Sequence, residues 1–342
     1  MMYRMFFVAL LTLMFVGGAK DARGEKWEQL LQKLYPAAKQ EGEVILNTSR
    51  IEEVGGKEGV EKFQKRFPGI KVTRTTMSAS HVPPRVIAET RAGRVTIDAF
   101  RGGPEYANVL AERDLLLVIN PADITDRPVK TFFGNRYFKT TDHMSGFAYN
   151  TKLVSKQDLP KKYEDLLDPK WKGKLVITLR GGRIGHLGAF WGEEKLLTYA
   201  KALAAQRPIW VTRNTESMAK LASGEGHVGN ASYNGVQGLK RRGAPLEYLF
   251  ISPVPVLIRG LSIPKAAPHP NAAKLFLGWL LSSEGNEALE ELGVGTVEPG
   301  TMAGDAAAAV KAELLFHTIE SMKQEDEMDE KVSAIWKTLS QR

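Results

Sequence analysis

The chain has 342 residues, a length that suits two domains of ordinary size or one large domain. Hydrophobic residues make up 43% of it and charged residues 25%, which excludes a disordered chain, a fibrous repeat and a multi-span membrane protein. Lys and Arg number 47 against 39 Asp and Glu, a formal net charge of +8, and the absence of cysteine excludes disulfides, thiolate nucleophiles and cysteine-ligated metal centres.

The first segment of the chain predicts an export signal. A positive charge at Arg4 precedes an apolar run over residues 5–16, broken only by Thr12, and small residues follow at 17–19. This run is too short to span about 30 Å of hydrocarbon, and its order is typical of a secretory signal peptide. We expect residues 1–19 to be removed and the mature protein to be free in the periplasm. It cannot be a lipoprotein, because no cysteine is available for acylation. A retained N-terminal membrane anchor is the alternative.

The remainder alternates between strand-like and helix-like patterns. Apolar runs and alternation predict strands at residues 44–46, 70–72, 97–100, 175–177, 209–211, 228–231 and 256–263. Helical spacing predicts helices at residues 27–38, 60–67, 82–92, 106–113, 196–205 and 216–222, and a mostly helical chain after residue 271. This repetition predicts an α/β fold with a largely parallel sheet. No Ser/Gly-rich linker separates the two α/β regions, so we expect strands to run directly between them, an arrangement that suits a hinge.

Sequence motifs argue against a cofactor or a metal site. Residues 224–229 match G-x-G-x-x-G, but a predicted helix precedes the match and a strand follows it, the reverse of a dinucleotide site. We interpret these residues as a helix C-cap and turn. The chain has no H-E-x-x-H, EF-hand, P-loop or G-x-S-x-G pattern, and no two histidines have metal-ligand spacing. No block of like charges forms a nucleic-acid tail. We expect no cofactor, no metal and no nucleic-acid partner.

Arginines recur where predicted strands end. Arg50, Arg101, Arg180, Arg183 and Arg213 each follow such a strand. Ligands of open α/β sheets bind at the carboxyl ends of the strands, and the guanidinium group offers a planar set of donors for carboxylate or phosphate. The pattern favours a small anionic ligand. The alternative for any one of these residues is a solvated arginine in a surface loop.

Several longer motifs carry a resemblance to a known family. The most specific is residues 163–174, Tyr-Glu-Asp-Leu-Leu-Asp-Pro-Lys-Trp-Lys-Gly-Lys, preceded by residues 147–151 and 158–160. Residues 267–273 and 279–285 are also typical. The chain resembles the extracellular solute-binding proteins of ATP-binding-cassette importers, in the subgroup known as iron(III)-type periplasmic components. The resemblance spans nearly the whole mature chain.

The resemblance implies an α/β, two-lobed periplasmic binding protein fold (type II) with a ligand cleft between the lobes and a two-strand hinge. Residues 20–140 plus 261–342 would form the first lobe and residues 141–260 the second. The implied role is transport, with an inner-membrane permease as partner and a monomeric protein that is not an enzyme. An enzyme on the same fold is a further hypothesis, against which the lack of a nucleophile–base motif counts.

The resemblance also implies which loops contact the ligand. The residues expected there are Thr48, Ser49, Arg50, Ser78, Ser80, Arg101, Gly102, Arg180, Arg183, Arg213, Asn214, Thr215 and Tyr233. Among the arginines, Arg101 and Arg213 are favoured, because each begins a turn with small or polar neighbours. A carboxylate, phosphonate or phosphate is the expected ligand class.

One feature departs from the iron-binding members of this subgroup. Those proteins carry adjacent tyrosines as metal ligands, whereas Tyr233 stands alone in this sequence. Arginine-rich loops would also repel a ferric ion. Anion capture is therefore the leading hypothesis, and a ferric-ion binding protein with Tyr233 as a ligand is the alternative.

Overall fold

The computed structural model describes residues 18–49, 51–180 and 184–341 of the chain. The helices are α1 Gly18–Glu41, α2 Gly56–Arg66, α3 Val82–Arg91, α4 Pro104–Ala111, α5 Leu187–Trp191, α6 Glu193–Ala205, α7 Asn214–Ser223, α8 Tyr233–Arg241, α9 Pro270–Leu280, α10 Ser283–Glu290, α11 Met302–Ala309 and α12 Ile319–Ser340. The strands are β1 Glu43–Asn47, β2 Lys71–Thr75, β3 Ala99–Gly102, β4 Thr131–Phe132, β5 Tyr137–Asn150, β6 Leu175–Thr178, β7 Ile209–Val211, β8 Val228–Ser232, β9 Leu246–Leu249, β10 Val254–Ser262 and β11 Leu314–Phe316. Most of the predicted signal peptide, residues 1–17, lies outside the described residues.

The strands form one continuous sheet in the order β2-β1-β3-β10-β5-β8-β6-β7. Pairing is parallel at β2-β1-β3 on one side and at β8-β6-β7 on the other. Pairing is antiparallel where the two sides meet, between β3 and β10, β10 and β5, and β5 and β8. The prediction of an α/β fold is confirmed, and the parallel pairing is confined to the two outer parts of the sheet.

Two long strands connect the two sides of the molecule. β5 has 14 residues; its first half pairs with β10 and its second half with β8 and β9. β10 pairs with β5 along most of its length and with β3 at its end. Such an antiparallel pair leaves a small number of backbone torsions to accommodate movement of one side against the other, as a hinge requires.

Apolar side chains cover both faces of the sheet on each side. On the first side, Phe63, Phe276 and Trp279 pack between α2, α9 and the sheet, with ring centroids 5.0–5.8 Å apart. The opposite face packs Val86 and Leu110 of α3 and α4. Burial of whole aromatic side chains contributes roughly 1.5–3 kcal/mol each, so these contacts fix the positions of the strand ends.

The C-terminal helix α12 packs on the second side of the molecule. Trp336 is fully buried in the same apolar cluster as Leu196 and Tyr199 of α6, and its indole nitrogen donates to the Ala200 carbonyl at 2.8 Å. The sequence interpretation placed residues 261–342 in the first lobe. The lobe boundaries stay a prediction, and α12 contacts elements of the middle segment.

Most predicted elements match observed ones in position. The match to G-x-G-x-x-G is confirmed as a helix C-cap and turn, since α7 ends at Ser223 and Gly224 adopts a left-handed conformation with φ 88° before β8. Strands β4, β5, β9 and β11 and helices α5 and α8 were not predicted. Over the described residues, no helix combines the length and the apolar character that crossing a membrane needs.

Candidate functional site

A cavity of about 570 Å³ lies beside the connecting strands, where β1, β2 and β3 end. This is the position at which open α/β sheets bind ligands. Its lining comes from strand ends, the first turn of α4, the connecting strands and α8: Ser49, Thr76, Met77, Ser78, Ala79, Arg101, Gly102, Gly103, Tyr106, Asp142, His143, Asn234, Arg259 and Val294.

Two arginines line this cavity. Arg101, near the end of β3, is only 7% exposed and donates from Nη2 to Thr141 Oγ1 at 2.6 Å. Arg259 of β10 is paired with the same Thr141 across the β10–β5 ladder. The ladder shifts register between Arg259 and Gly260, and such bulges redirect side chains. β3 and β10 therefore each bring one arginine to the cavity.

Hydrogen bonds hold the opposite wall in place. Asn47, fully buried at the end of β1, donates from Nδ2 to the Met77 carbonyl at 3.2 Å and accepts from Thr75 Oγ1 at 3.2 Å. The Ser78 and Ser80 hydroxyl oxygens lie 2.9 Å apart. Exposed hydroxyls and backbone N–H groups at such strand ends are neutral donors that suit an acidic ligand group.

A buried tyrosine holds the end of β3 in place beside the cavity. Tyr137 donates from its hydroxyl to the Gly102 carbonyl at 3.0 Å, and burial raises the pKa of this phenol well above its usual value. It therefore stays a neutral donor at any physiological pH. This bond ties β5 to the end of β3, directly beside Arg101.

Two carboxyl groups balance the arginines. Burial raises the pKa of Glu105, in the first turn of α4, although the Arg259 guanidinium opposes that rise. Burial also raises the pKa of Asp142, and the ammonium of Lys139, 2.8 Å away, opposes it. Lys139 is paired with Asp142, so Glu105 is the carboxyl group that acts against the arginines.

Comparison with known proteins identifies the family. The sequence model of the bacterial extracellular solute-binding proteins matches residues 48–287. The chain belongs to this family. Solute-binding proteins of this kind are transport components and not enzymes, as expected from the sequence.

The single proteins that resemble this chain have low sequence identity to it or match only part of it. An uncharacterised protein of Haemophilus influenzae is 32% identical over 152 residues, a region covering 42% of this chain and 44% of that protein. Among solved structures, iron-bound HitA from Pseudomonas aeruginosa has a TM-score of 0.68 at 19% identity, covering 85% of this chain and 99% of HitA. The periplasmic binding protein AgtB from A. tumefaciens R10, in complex with agropinic acid, has a TM-score of 0.61 at 16% identity, covering 88% of this chain and 99% of AgtB. The prediction of a two-lobed periplasmic binding protein fold is thereby confirmed.

Four of the residues predicted to bind ligand line the cavity of this solute-binding protein: Ser49, Ser78, Arg101 and Gly102. Thr48 lies next to them but is fully buried, and Ser80 contacts Ser78 without lining the cavity. Arg50 and Arg183 lie outside the described residues. The roles of all these residues in binding stay predictions.

The remaining predicted arginines lie elsewhere in the structure. Arg180 is exposed and lines a separate open groove against α12, together with Asp326 and Asp329. Arg213 is exposed at the N-cap of α7, followed by Asn214 and Thr215, and none of the three lines the cavity. β7, which precedes Arg213, is the last strand of the sheet, so its end is distant in sheet order from β3 and β10.

Tyr233 packs inside the second side of the molecule. It is 5% exposed, its ring centroid lies 5.4 Å from that of Tyr248, and its hydroxyl donates to the Met302 carbonyl at 3.2 Å. Burial, and then the charges of Glu247 and Glu290, raise the pKa of Tyr233 to about 12. The structure does not bring this hydroxyl to the cavity. In the part of the chain that is described, no group of three or more His, Asp and Glu residues could hold a metal ion.

Sequence reasoning missed several residues that line the cavity. Arg259 lies inside a strand that was predicted, but only its pairing with β5 shows where it points. Asp142 and His143 belong to β5, which was not predicted because its polar residues break any alternation of apolar side chains. Tyr106 could have been suspected from the sequence, since it begins a predicted helix directly after the Arg101 turn.

Proposed function

We propose that this protein captures a small solute with an acidic group in the cavity beside its connecting strands and delivers it to an ATP-binding-cassette permease. The observation that carries the proposal is that Arg101, which is bonded to Thr141, and Arg259, the strand partner of Thr141, both line one cavity of about 570 Å³. That volume lies in the usual range for small-molecule sites. The membership of a family of extracellular solute-binding proteins supports the delivery step.

The energetics favour an acid over a neutral solute. A hydrogen bond to a charged group contributes roughly 1.5–3 kcal/mol, and Arg101 is nearly excluded from water, which strengthens such a bond. A ligand held by both arginines would gain more than a hundredfold in affinity over a neutral solute of the same shape. Movement of the two sides about β5 and β10 would then bury it.

The ferric alternative receives less support from the described residues. HitA is an iron-bound relative in fold, but Tyr233 of this chain donates to the Met302 carbonyl and carries a raised pKa, so it is a poor source of the phenolate that iron requires. Two guanidinium groups in the cavity would repel a trivalent cation. An acid ligand meets neither obstacle. The periplasmic location of the free protein, its monomeric state and the permease partner form part of the proposal.

Thermal-shift and calorimetric titrations test the proposal directly. The panel is lactate, succinate, benzoate, methylphosphonate and inorganic phosphate, with ribose and glycerol as neutral comparisons, and mass spectrometry identifies any small molecule that co-purifies. A ligand at about a hundred times its Kd stabilises the folded protein by roughly 2.7 kcal/mol. We expect at least one acid to bind and the neutral solutes not to bind.

Matched variants locate the site. Arg101→Met and Arg259→Met should each weaken acid binding by about tenfold to a hundredfold, which corresponds to 1.5–3 kcal/mol. Arg213→Met removes the same charge at an exposed position outside the cavity and should bind as the wild type does. Equal losses in all three variants, or binding of ribose in place of every acid, would contradict the proposal.

A further inference from the structure

The carboxylate of Glu105 folds back over the cavity's edge. Glu105 is in the first turn of α4, and its side chain lies against Gly103, which lines the cavity. A Cβ atom on Gly103 would collide with both carboxylate oxygens of Glu105. The carboxylate therefore occupies space directly next to the turn that follows Arg101.

The surroundings of this carboxylate resemble those expected for a bound acid. Its chief cationic neighbour is Arg259, one of the two arginines of the cavity. Oε2 of Glu105 is buried, and within the described residues it has no hydrogen-bond partner. Arg101 lies two residues before Gly103 and lines the same cavity. The Glu105 carboxyl group thus lies near an arginine that the proposed ligand would use.

We propose that Glu105 is an internal competitor for the acid-binding position, and that its charge weakens the binding of doubly charged acids more than the binding of singly charged ones. The inference rests on the proposed function. The repulsion between the Glu105 carboxylate and a bound acid is about twice as large for a dianion as for a monoanion, because it scales with the charge. The attraction of the arginines scales in the same way, so Glu105 offsets part of the advantage that the arginines give to a dianion.

A purely structural role of Glu105 in helix α4 would lead to a different experimental result. An acidic residue in the first turn stabilises a helix through its partial positive N-terminal charge. In that role alone, removal of the Glu105 charge would lower the stability of the protein slightly and leave acid binding unchanged. Affinity, rather than stability, therefore separates the two roles.

If Glu105 competes with the ligand, the affinity for acids should depend on pH. The charged or titratable groups that act on Glu105 are Arg259 of β10, Tyr137 of β5 and Asp326 of α12, and Arg101 of β3 with Asp142 and His143 of β5 line the same cavity. Burial raises the pKa of Glu105, with Asp326 adding to the rise and Arg259 opposing it. As pH falls, Glu105 becomes neutral before an exposed glutamate would, and competition ends. Acid binding should therefore strengthen as pH falls.

The test compares Glu105→Gln with the wild type and with Glu112→Gln. Gln keeps the shape of the side chain and removes its charge. Glu112, exposed at the C-cap of the same α4 helix, gives a control with an equal change in net charge. The probes are lactate and sulfate, whose charges stay constant between about pH 5.5 and about pH 7.5, since an ordinary carboxylic acid ionises near pH 4 and hydrogen sulfate is a stronger acid still. Calorimetry at both pH values gives the affinities.

We expect Glu105→Gln to bind sulfate at least about tenfold more tightly than the wild type at the higher pH, a difference of roughly 1.4 kcal/mol, with a smaller gain for lactate. The pH dependence of the wild type should disappear in this variant, and Glu112→Gln should behave as the wild type. Equal or weaker binding of both probes by Glu105→Gln would overturn the inference while leaving the proposed function in place. If neither probe binds to any of the three proteins, at either pH, the inference fails, and the panel of acids described above decides separately whether the proposed function stands.

Discussion

A buried ion pair on the connecting strand β5 allows a quantitative prediction. Lys139 Nζ lies 2.8 Å from Asp142 Oδ2, and the two side chains are 7% and 0% exposed. The same carboxylate oxygen accepts from the Val297 backbone nitrogen at 3.0 Å, and the Asp142 nitrogen donates to the Gly295 carbonyl at 2.8 Å. The pair therefore attaches the segment after α10 to the strand on which the proposed hinge depends.

Removal of either partner leaves the other charge buried, which generally costs about 3–5 kcal/mol. The loss of stability for Asp142→Asn should be at the lower end of this range, about 3 kcal/mol. Glu298 Oε1 remains 3.2 Å from the Lys139 ammonium, and Asn can still accept from Val297. The loss for Lys139→Met should be near 4 kcal/mol, because the buried Asp142 carboxylate loses the ammonium group that is paired with it.

The pH dependence of Lys139→Met follows from the pKa of Asp142. Burial already raises this pKa, and Lys139 opposes the rise, so loss of Lys139 should raise the pKa further. A carboxyl whose pKa is higher in the folded than in the unfolded state binds more protons when folded, and stability then falls as pH rises through that window. Lys139→Met should therefore recover stability when the pH is lowered from about 7 to about 5.

Urea unfolding of the wild type, both single variants and the double variant Lys139→Met/Asp142→Asn completes a double-mutant cycle. The double variant should be more stable than the sum of the single losses predicts, with a coupling of at least about 2 kcal/mol. The exposed pair Lys57 and Glu61 on α2, 3.8 Å apart, gives a control cycle with a coupling below about 0.5 kcal/mol. A coupling that small for the buried pair would refute the reasoning.

Two further variants test buried side chains of the second side. Tyr233→Phe loses the bond to the Met302 carbonyl, so calorimetry should show a loss of about 1 kcal/mol in stability with acid affinity unchanged; weakened binding at an unchanged melting temperature would instead place Tyr233 in the ligand site. Trp336→Phe loses the bond to Ala200 and part of the buried ring, and should cost about 2–3 kcal/mol in urea unfolding. An unchanged urea midpoint for Trp336→Phe would contradict the packing of α12 on α6.

Local patterns in the sequence determined most of the secondary structure. The strand predicted at residues 209–211 is β7, Ile209–Val211, and the helix predicted at residues 82–92 is α3, Val82–Arg91. Both depend on short-range features, namely an apolar run and prolines confined to a first turn. Arg101 was predicted to follow a strand over residues 97–100; it lies one residue before the end of β3, Ala99–Gly102, so the position near a strand end is confirmed and the strand is shifted by two residues.

Pairing between distant segments decided what the sequence could not show. Arg101 and Arg213 both lie near the ends of strands, yet β3 lies beside β10 near the middle of the sheet and β7 lies at its edge. Strand order depends on contacts between segments far apart in the chain, which no local pattern encodes. Arg259 likewise reaches the cavity through a register shift against β5, and β5 itself was missed because its polar residues are stabilised by partners such as the Asp142–Lys139 pair and not by apolar alternation. The sequence determined which groups of the protein could bind an acid, and the order and register of the strands decided which of them share one cavity.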